Sequence, residues 1–220
     1  MIWIIYSREL LVEIITPEQF KSLLSNIDTS TPDGSKYYCI LLILYDNGMR
    51  ISELVTLRIS NIDFEGKTIR VMGKGRIERL VPITVYTRRH IAKYIDGARS
   101  KLSLGNCPYL FANYDDEPIS KNSVQQFMRR LLVKSGLKGV KFSPHILRHS
   151  FATQFLANGD SVFHLKAILG HKSLTTTLRY TKLQVQDIQK QHEKFSPIAQ
   201  LFRNKSWYVK MFYSHVPIHL

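Results

Sequence analysis

The chain has 220 residues, of which 44% are hydrophobic, which is enough for one sizeable core or for one domain with appendages. It carries 31 Lys and Arg against 17 Asp and Glu, a formal net charge of +14. That excess favours a polyanionic partner, with nucleic acid as the first candidate and a basic surface kept for solubility as the alternative. The two cysteines, Cys39 and Cys107, lie far apart and exclude a disulfide framework, which fits a reducing cytoplasm.

The N-terminus is apolar but too short to span a membrane. Arg8, Glu9 and Glu13 interrupt the apolar run before it reaches the length of a bilayer. The run also lacks the basic start and the small-residue cleavage site of a signal peptide. We therefore expect a soluble, cytoplasmic protein with no membrane association.

The first half of the chain predicts three helices. The run Thr-Pro-Glu-Gln at 16–19 indicates a helix start, because Thr16 suits the N-cap, Pro17 the first turn and Gln19 a capping box. This helix is expected to end near Asn26, and a loop rich in Pro, Gly, Ser and Thr follows over residues 29–35. Residues 37–47 are apolar nearly all round, which predicts a buried helix that stops at residue 48, a glycine. Residues 50–57 predict a further short helix.

Short β-like runs occupy the middle of the chain. Residues 68–72 and 79–83 predict two strands, and residues 73–78 join them as a hairpin loop. Pro82 limits the second strand to an edge or an end, and residues 108–111 predict a third strand. Further helices are predicted at 85–98, 122–134, 144–157, 162–169, 174–179 and 185–194. The expected fold class is mainly α (α+β) with a small antiparallel three-stranded sheet, without the strand–helix alternation of a parallel α/β domain.

Polar side chains cluster at the start of the helix expected at 144–157. His145, Arg148 and His149 lie within one turn of each other, while an apolar stripe faces the core. A guanidinium binds phosphate through a rigid fork of donors, and an imidazole moves protons near neutral pH. The positive end of the helix dipole also favours an anion there. The segment therefore predicts a phosphate-handling cleft, although a surface helix with incidental His and Arg is the alternative.

A metal site is not expected. The two histidines at 145 and 149 have the spacing of a zinc-binding helix, but the glutamate of His-Glu-x-x-His is missing. The cation at Arg148 would also repel a metal ion. No cluster of carboxylates suitable for magnesium accompanies these motifs, which disfavours a two-metal nuclease.

Three other segments carry side chains of similar chemistry. Arg50 directly follows the expected buried helix, and Glu53 can orient its guanidinium, with an ordinary ion pair as the alternative. Lys74 lies between two glycines at the hairpin tip and can swing into a neighbouring groove, although a solvated turn lysine is commoner. The phenol of Tyr180 can become a covalent nucleophile, although a lone tyrosine more often packs in a core.

Taken together, these segments resemble the tyrosine recombinase family, the phage-integrase and Xer-type site-specific recombinases. The resemblance rests on Gly-Met-Arg-Ile-Ser-Glu-Leu at 48–54, His-Ile-Leu-Arg-His-Ser-Phe-Ala-Thr at 145–153, Leu-Gly-His-Lys-Ser at 169–173 and Thr-Thr-Leu-Arg-Tyr-Thr at 176–181. The hairpin Gly-Lys-Gly-Arg-Ile-Glu-Arg-Leu-Val-Pro at 73–82 is similar to the catalytic-lysine hairpin of that family. Order and spacing are preserved over residues 14–200. The resemblance implies the helical catalytic domain of a tyrosine recombinase.

The resemblance also implies the main catalytic roles. Arg50 and Arg148 hold the non-bridging oxygens of the scissile phosphate and offset the charge of the pentacoordinate transition state. Tyr180 attacks phosphorus and forms a 3′-phosphotyrosyl bond, while Lys74 protonates the departing 5′ oxygen. Attack by a 5′-hydroxyl of a second strand then exchanges strands, with no metal, ATP or other cofactor.

Supporting roles are implied for four further residues. His145 moves the tyrosine proton, and His171 supports the phosphate by hydrogen bonding. Glu53 and His149 orient the residues that contact the phosphate. Candidate contacts to DNA phosphates or grooves are Arg58, Arg76, Lys121, Arg129 and Arg130.

The resemblance predicts the domain organisation and the partners. We expect an N-terminal extension at 1–13 with the family's core-binding domain absent, the recombinase catalytic domain at 14–200, and a C-terminal tail at 201–220. The tail either packs into a neighbouring protomer or is a disordered end. The expected partners are double-stranded DNA and further copies of the chain, a tetramer on synapsed DNA and a monomer when free.

Three functions remain open at this point. The first is a site-specific DNA recombinase or integrase, and the second is a topoisomerase IB-like enzyme that nicks and reseals DNA. The third is a truncated, inactive remnant that still binds DNA. The complete set of motif residues argues against decay of the active site.

Overall fold

The computed structural model describes residues 13–73, 78–102, 107–171, 173–178 and 180. In chain order the described elements are α1 (Pro17–Ser25), α2 (Pro32–Asn47), α3 (Ile51–Val55), β1 (Ile62–Asp63), β2 (Thr68–Met72), β3 (Glu78–Pro82), α4 (Val85–Lys93), α5 (Lys121–Ser135), α6 (Pro144–Ala157), α7 (Val162–Leu169) and α8 (Leu174–Leu178). In these ranges, none of the helices has the length and apolar character needed to cross a membrane.

The first helix confirms its predicted capping box. The backbone N–H of Gln19 donates to the Thr16 hydroxyl at 3.2 Å, and the Gln19 side chain accepts from the Thr16 N–H at 2.9 Å. Both bonds satisfy backbone donors that the helix itself leaves without partners. Helix α1 therefore starts and stops close to the predicted positions.

Helix α2 begins five residues earlier than predicted. The Thr31 hydroxyl accepts from the Gly34 N–H at 3.1 Å, and Pro32 occupies the first helical turn. The predicted loop over 29–35 was wrong in its second half, because its Thr and Pro form a helix cap and first turn. The helix is buried as expected, and it ends at Gly48, which adopts a left-handed conformation with φ +61°.

The three strands form one antiparallel sheet in the order β1–β2–β3. The third strand is not the one predicted at 108–111, because β1 pairs with β2 across a tight turn and occupies that edge. The backbone at 108–111 pairs instead with the chain at 57–59, where Tyr109 forms an isolated bridge with Arg58. The mainly α fold with a small antiparallel three-stranded sheet is nevertheless confirmed.

The remaining helices follow the predictions closely, with one exception. Helices α6 and α7 have the predicted bounds, and α5 is longer by one residue at each end. The helix predicted at 85–98 is α-helical only to Lys93 and continues as a π-helical turn over Tyr94–Ala98. The predicted helix at 185–194, the tail at 201–220 and the hairpin tip at 74–77 lie outside the described residues.

Replacing Gly48 with alanine should destabilise the fold more than the same change at Gly136. Both glycines end helices at positive φ, which costs an alanine about 1–2 kcal/mol. A Cβ at Gly48 would also lie 2.6 Å from Phe151 Cδ1 and 2.9 Å from Leu169 Cδ2, whereas a Cβ at Gly136 meets nothing within 4 Å. Overpacking should therefore add about 1–3 kcal/mol at Gly48, as measured by urea unfolding. Equal losses for the two variants would contradict this packing.

Candidate active site

The carboxyl end of α7 gathers three guanidinium groups. Arg148 Nη2 donates to the Leu169 carbonyl at 2.8 Å, and Arg79 Nε donates to the Ile168 carbonyl at 2.8 Å. Arg50 Nη1 makes a longer contact of 3.4 Å to the Leu169 carbonyl. The last carbonyls of a helix have no partner inside the helix and carry partial negative charge. They therefore attract and fix three cations that would otherwise repel one another.

The chain turn after α7 completes this arrangement. Gly170 adopts a left-handed conformation with φ +63°, and its N–H donates to the Ala167 carbonyl at 3.2 Å. The His171 N–H reaches back to the Lys166 carbonyl at 3.2 Å. The turn thus satisfies two of the last four carbonyls of α7, and the arginines satisfy the other two. The same turn brings His171 to the arginine cluster.

Arg148 is buried, with 7% of its surface exposed. Besides Leu169, its guanidinium donates to the Gly48 carbonyl at 2.7 Å and contacts His171 Nε2 at 2.9 Å. Burial first, and then the positive charge of Arg50, lower the pKa of Arg148 to about 10. The residue remains protonated at neutral pH. The sequence suggested an open cleft position, but backbone carbonyls draw this side chain inward from α6.

His171 is held in one neutral tautomer. A guanidinium nitrogen can only donate, so His171 Nε2 must accept from Arg148. The ring proton then resides on Nδ1, which donates to the Thr177 hydroxyl at 2.9 Å. Both His171 and Thr177 are buried. Helix α8 therefore fixes the imidazole through Thr177, and the imidazole fixes one edge of Arg148.

Glu53 is the carboxylate that joins two of the arginines. Arg79 contacts it through both terminal nitrogens, at 3.0 Å to Oε1 and 2.8 Å to Oε2. Arg50 donates to Oε1 from its side chain at 3.1 Å and to Oε2 from its backbone N–H at 2.9 Å. Burial alone would raise the pKa of Glu53, but these hydrogen bonds and charges outweigh it and hold the pKa below its ordinary value. Glu53 is therefore ionised beside both cations.

A cavity of about 660 Å³ opens beside this cluster, between the β2–β3 hairpin and the α7–α8 region. Arg50 faces solvent more than its neighbours, with 38% of its side chain exposed. Gly73, which precedes Lys74 in the chain, belongs to the wall. The lining residues are Arg50, Gly73, Arg79, Phe163, Lys166, Ala167, Gly170, His171, Ser173 and Thr176. The wall carries the positive charges of Arg50, Arg79 and Lys166, which suits an anion.

Tyr180 packs on the same two helices that hold Arg148. Its buried side chain belongs to a small apolar cluster with Phe151 and Leu165. Its ring centroid lies 5.5 Å from that of His149. The charge that Tyr180 would carry as a phenolate raises the pKa of Arg148, which places the two residues within electrostatic reach of each other. The structure therefore brings Tyr180, His149 and the arginine cluster into one region.

The other predicted site residues are exposed or lie beyond the described ranges. His145 is exposed in the first turn of α6. Arg58 is exposed and lies over the Tyr109 ring, 5.6 Å from its centroid. Three exposed residues of α5 complete the set: Lys121, Arg129 and Arg130. Lys74 and Arg76 lie outside the described residues. Within the described ranges, no group of three or more His, Cys, Asp or Glu side chains is placed to hold a metal ion.

Arg79 was missed at the level of sequence. Side chains of β3 point alternately to the two faces of the sheet. Arg79 pairs with Val71 and lies two residues before Val81, and both valines are buried. An arginine at the core-facing positions of a strand needs partners for its charge. That alternation was the available signal, although the recombinase motif on this hairpin points to Lys74 rather than to Arg79.

The chain matches the model of the phage integrase family over residues 13–187. That range contains the arginine cluster, Glu53, His171 and Tyr180. The chain therefore belongs to the phage integrase family, and the resemblance to tyrosine recombinases noted from the motifs is confirmed.

Individual relatives agree with this assignment. The chain is 34% identical over 183 residues to tyrosine recombinase XerC of Chlamydia caviae, a match that covers 83% of this chain and 58% of the relative. The crystal structure of XerA recombinase superposes with a TM-score of 0.68 at 29% identity, over 84% of this chain and 65% of that one. XerH site-specific recombinase bound to its difH substrate superposes with a TM-score of 0.67 at 25% identity, over 76% of this chain and 49% of that one. The chain thus spans about three fifths of the first relative's length.

Replacing Thr177 with valine should destabilise the protein, because His171 Nδ1 then loses its hydroxyl acceptor in a buried site. A buried donor left without a partner costs about 1–3 kcal/mol. Thr175→Val is the matched control on the same helix, since Thr175 is exposed. Urea unfolding measures both changes. Imidazole ¹⁵N spectra of the wild type should show His171 with its proton on Nδ1 at neutral pH. A proton on Nε2 would contradict the hydrogen-bond assignment.

Proposed function

We propose that this chain is the catalytic part of a site-specific DNA recombinase or integrase. It breaks and rejoins DNA through a 3′-phosphotyrosyl intermediate, without metal or ATP. The observation that carries the proposal is that Arg50 and Arg148 both donate to the Leu169 carbonyl at the end of α7, beside a cavity, while Tyr180 packs against α6 and α7. Fixed cations that need no rearrangement are what a pentacoordinate phosphorus transition state requires.

Arg50 and Arg148 would bind the non-bridging oxygens of the scissile phosphate. Arg50 lines the cavity, whereas Arg148 lies deeper and shares its Nη2 with His171. An entering phosphate competes with His171 for that guanidinium. His171 can then take its other neutral tautomer, accept at Nδ1 from the Thr177 hydroxyl and donate from Nε2 to the phosphate. In this proposal His171 holds Arg148 before DNA binds and supports the phosphate afterwards.

Tyr180 would be the nucleophile. A free phenol has a pKa near 10, so only about one in a thousand molecules is ionised at pH 7. The phenolic oxygen forms a bond to phosphorus while the bond from phosphorus to the 5′ oxygen breaks. The phenolic proton passes to His145, and Lys74 gives a proton to the departing 5′ oxygen, so the charges balance. The role of Lys74 rests on the hairpin motif, and that of His145 on its place one turn from Arg148. His149, in ring contact with Tyr180, would orient the phenol.

The partner of the site would be double-stranded DNA. The net charge of +14 and the XerH complex with its difH substrate support this. Four exposed cations, Arg58, Lys121, Arg129 and Arg130, would contact DNA phosphates. Arg76, which lies outside the described residues, is proposed as a fifth contact. Binding should therefore weaken steeply with salt. We propose the catalytic domain at 14–200, with a tetramer on synapsed DNA and a monomer in the free state. Residues 1–13 and 201–220 would be an extension and a tail.

Recombination is favoured over simple relaxation of DNA. The relatives described above are named recombinases, which favours recombination. The same residues would nevertheless serve a topoisomerase IB-like enzyme, so an experiment must separate the two. Product topology on a plasmid with two sites separates the two reactions. A recombinase gives excised or inverted products, whereas a topoisomerase only changes linking number. An inactive remnant gives neither product.

Replacing Tyr180 with phenylalanine should abolish the covalent protein–DNA adduct. The test uses nicked suicide duplexes of randomised sequence in EDTA, and the adduct is resolved on a denaturing gel. Removing the attacking oxygen leaves no route to the phosphotyrosyl bond, so the signal should fall by at least about a thousandfold. Tyr114→Phe is the matched control, because Tyr114 is 64% exposed and lies in a loop. Circular dichroism verifies that both variants fold. Wild-type protein that forms no adduct, or Tyr180→Phe that retains it, contradicts the proposal.

A further inference from the structure

Arg79 occupies a position that the motif residues alone do not explain. It lies on β3, contacts Glu53 of α3 through both terminal nitrogens, and donates from Nε to a carbonyl of α7. We infer that Arg79 is a positioning residue that neutralises Glu53, so that Arg50 remains available to the phosphate. This inference rests on the proposed function of the site and concerns how that site keeps its positive charge.

The Glu53 carboxylate accepts more side-chain hydrogen bonds from Arg79 than from Arg50. Arg79 supplies a two-bond fork from its side chain, whereas the Arg50 side chain supplies one bond at 3.1 Å. The second bond from Arg50 comes from its backbone N–H. A two-bond fork is the strongest pairing between a guanidinium and a carboxylate. Arg79 is therefore the main partner of the Glu53 charge, and it is nearly buried in that role, with 11% of its side chain exposed.

The charge balance explains why a second arginine is needed. Glu53 orients Arg50 by accepting hydrogen bonds from the backbone N–H and the guanidinium of Arg50. If this buried carboxylate were paired with Arg50 alone, it would cancel the positive charge that Arg50 offers to a phosphate. With Arg79 present, two cations share one anion, and a net positive charge remains at the cavity wall. Removing a nearby positive charge from a partly buried site weakens the electrostatic attraction for an anion. Loss of Arg79 would thus weaken anion binding without removing any residue proposed to contact the phosphate oxygens.

Gly170 leaves the space that the Arg79 side chain occupies. A Cβ at Gly170 would lie 3.0 Å from Arg79 Cδ and 3.1 Å from its Nε, so the absence of a side chain there makes room for the guanidinium. Gly170 also needs its positive φ to end α7. Gly170 therefore both ends α7 and leaves space for Arg79, which donates to the Ile168 carbonyl of that helix.

The test compares wild type with Arg79→Met, Glu53→Gln and the double variant. Initial rates of adduct formation are measured on nicked suicide duplexes, and the affinity for inorganic tungstate is measured by calorimetry without DNA. Arg79→Met should lower both by at least about tenfold, because Glu53 then pairs with Arg50 alone. The double variant should recover most of that loss, because glutamine no longer cancels the Arg50 charge. Arg79→Lys should recover part of it, since lysine restores the charge without the fork.

Matched controls separate positioning from folding. Arg88→Met removes another partly buried arginine that donates to a backbone carbonyl, that of Phe64 at 2.8 Å, and should leave both readouts unchanged. Circular dichroism and urea unfolding follow the fold of every variant. If Arg79 served only the fold, adding Glu53→Gln to Arg79→Met would not restore adduct formation or tungstate affinity, because it removes a further charged partner.

The outcomes are distinguishable. If wild type forms no adduct yet binds tungstate, and the double variant restores the binding lost in Arg79→Met, the inference stands while the recombinase proposal fails. If Arg79→Met binds tungstate and forms adduct like wild type, the inference is overturned and the recombinase proposal remains. A double variant worse than Arg79→Met also overturns the inference. Wild type that neither forms adduct nor binds tungstate overturns both.

Discussion

The backbone carbonyls at the end of α7 are the constraint on which the candidate site depends. A helix end exposes acceptors with partial negative charge, and here side chains from three other elements supply the donors. Arg148 lies on α6 and Arg79 on β3, and Arg50 is the N-cap residue of α3. Residues far apart in sequence converge because each guanidinium donates to one of two adjacent carbonyls, those of Ile168 and Leu169. The site is thus assembled by backbone geometry as much as by its own side chains.

The balance of charge follows from that arrangement. Among the described residues of the cluster, Glu53 is the acid that joins Arg50 to Arg79, and burial makes each of these contacts stronger than at a surface. His171 and Thr177 add a neutral hydrogen-bonded chain that holds Arg148 without adding charge. The cavity wall therefore keeps a positive potential while its cations remain fixed. Preorganised charge of this kind favours a phosphorane-like transition state more than a ground-state phosphate.

Local signals predicted most of the fold and several members of the cluster. The capping box at Thr16, the stop at Gly48 and the bounds of α6 and α7 follow from residue chemistry that acts within a few positions. The third strand was misplaced because pairing at 108–111 depends on which edge of the sheet β1 occupies. The burial of Arg148 and the partners of Arg79 could not be foreseen, since both depend on groups contributed by distant elements. The alternation of β3 could show only that Arg79 faces the core.

Anomalous diffraction from crystals soaked in tungstate tests the central claim most directly. We expect tungstate in the cavity beside α7, within hydrogen-bonding distance of Arg50. Arg148 should still donate to the Leu169 carbonyl, and the Arg79–Glu53 fork should be unchanged. Tungsten bound only elsewhere on the basic surface, or an Arg148 side chain that has left the α7 carbonyls, would contradict an anion site built on the end of that helix.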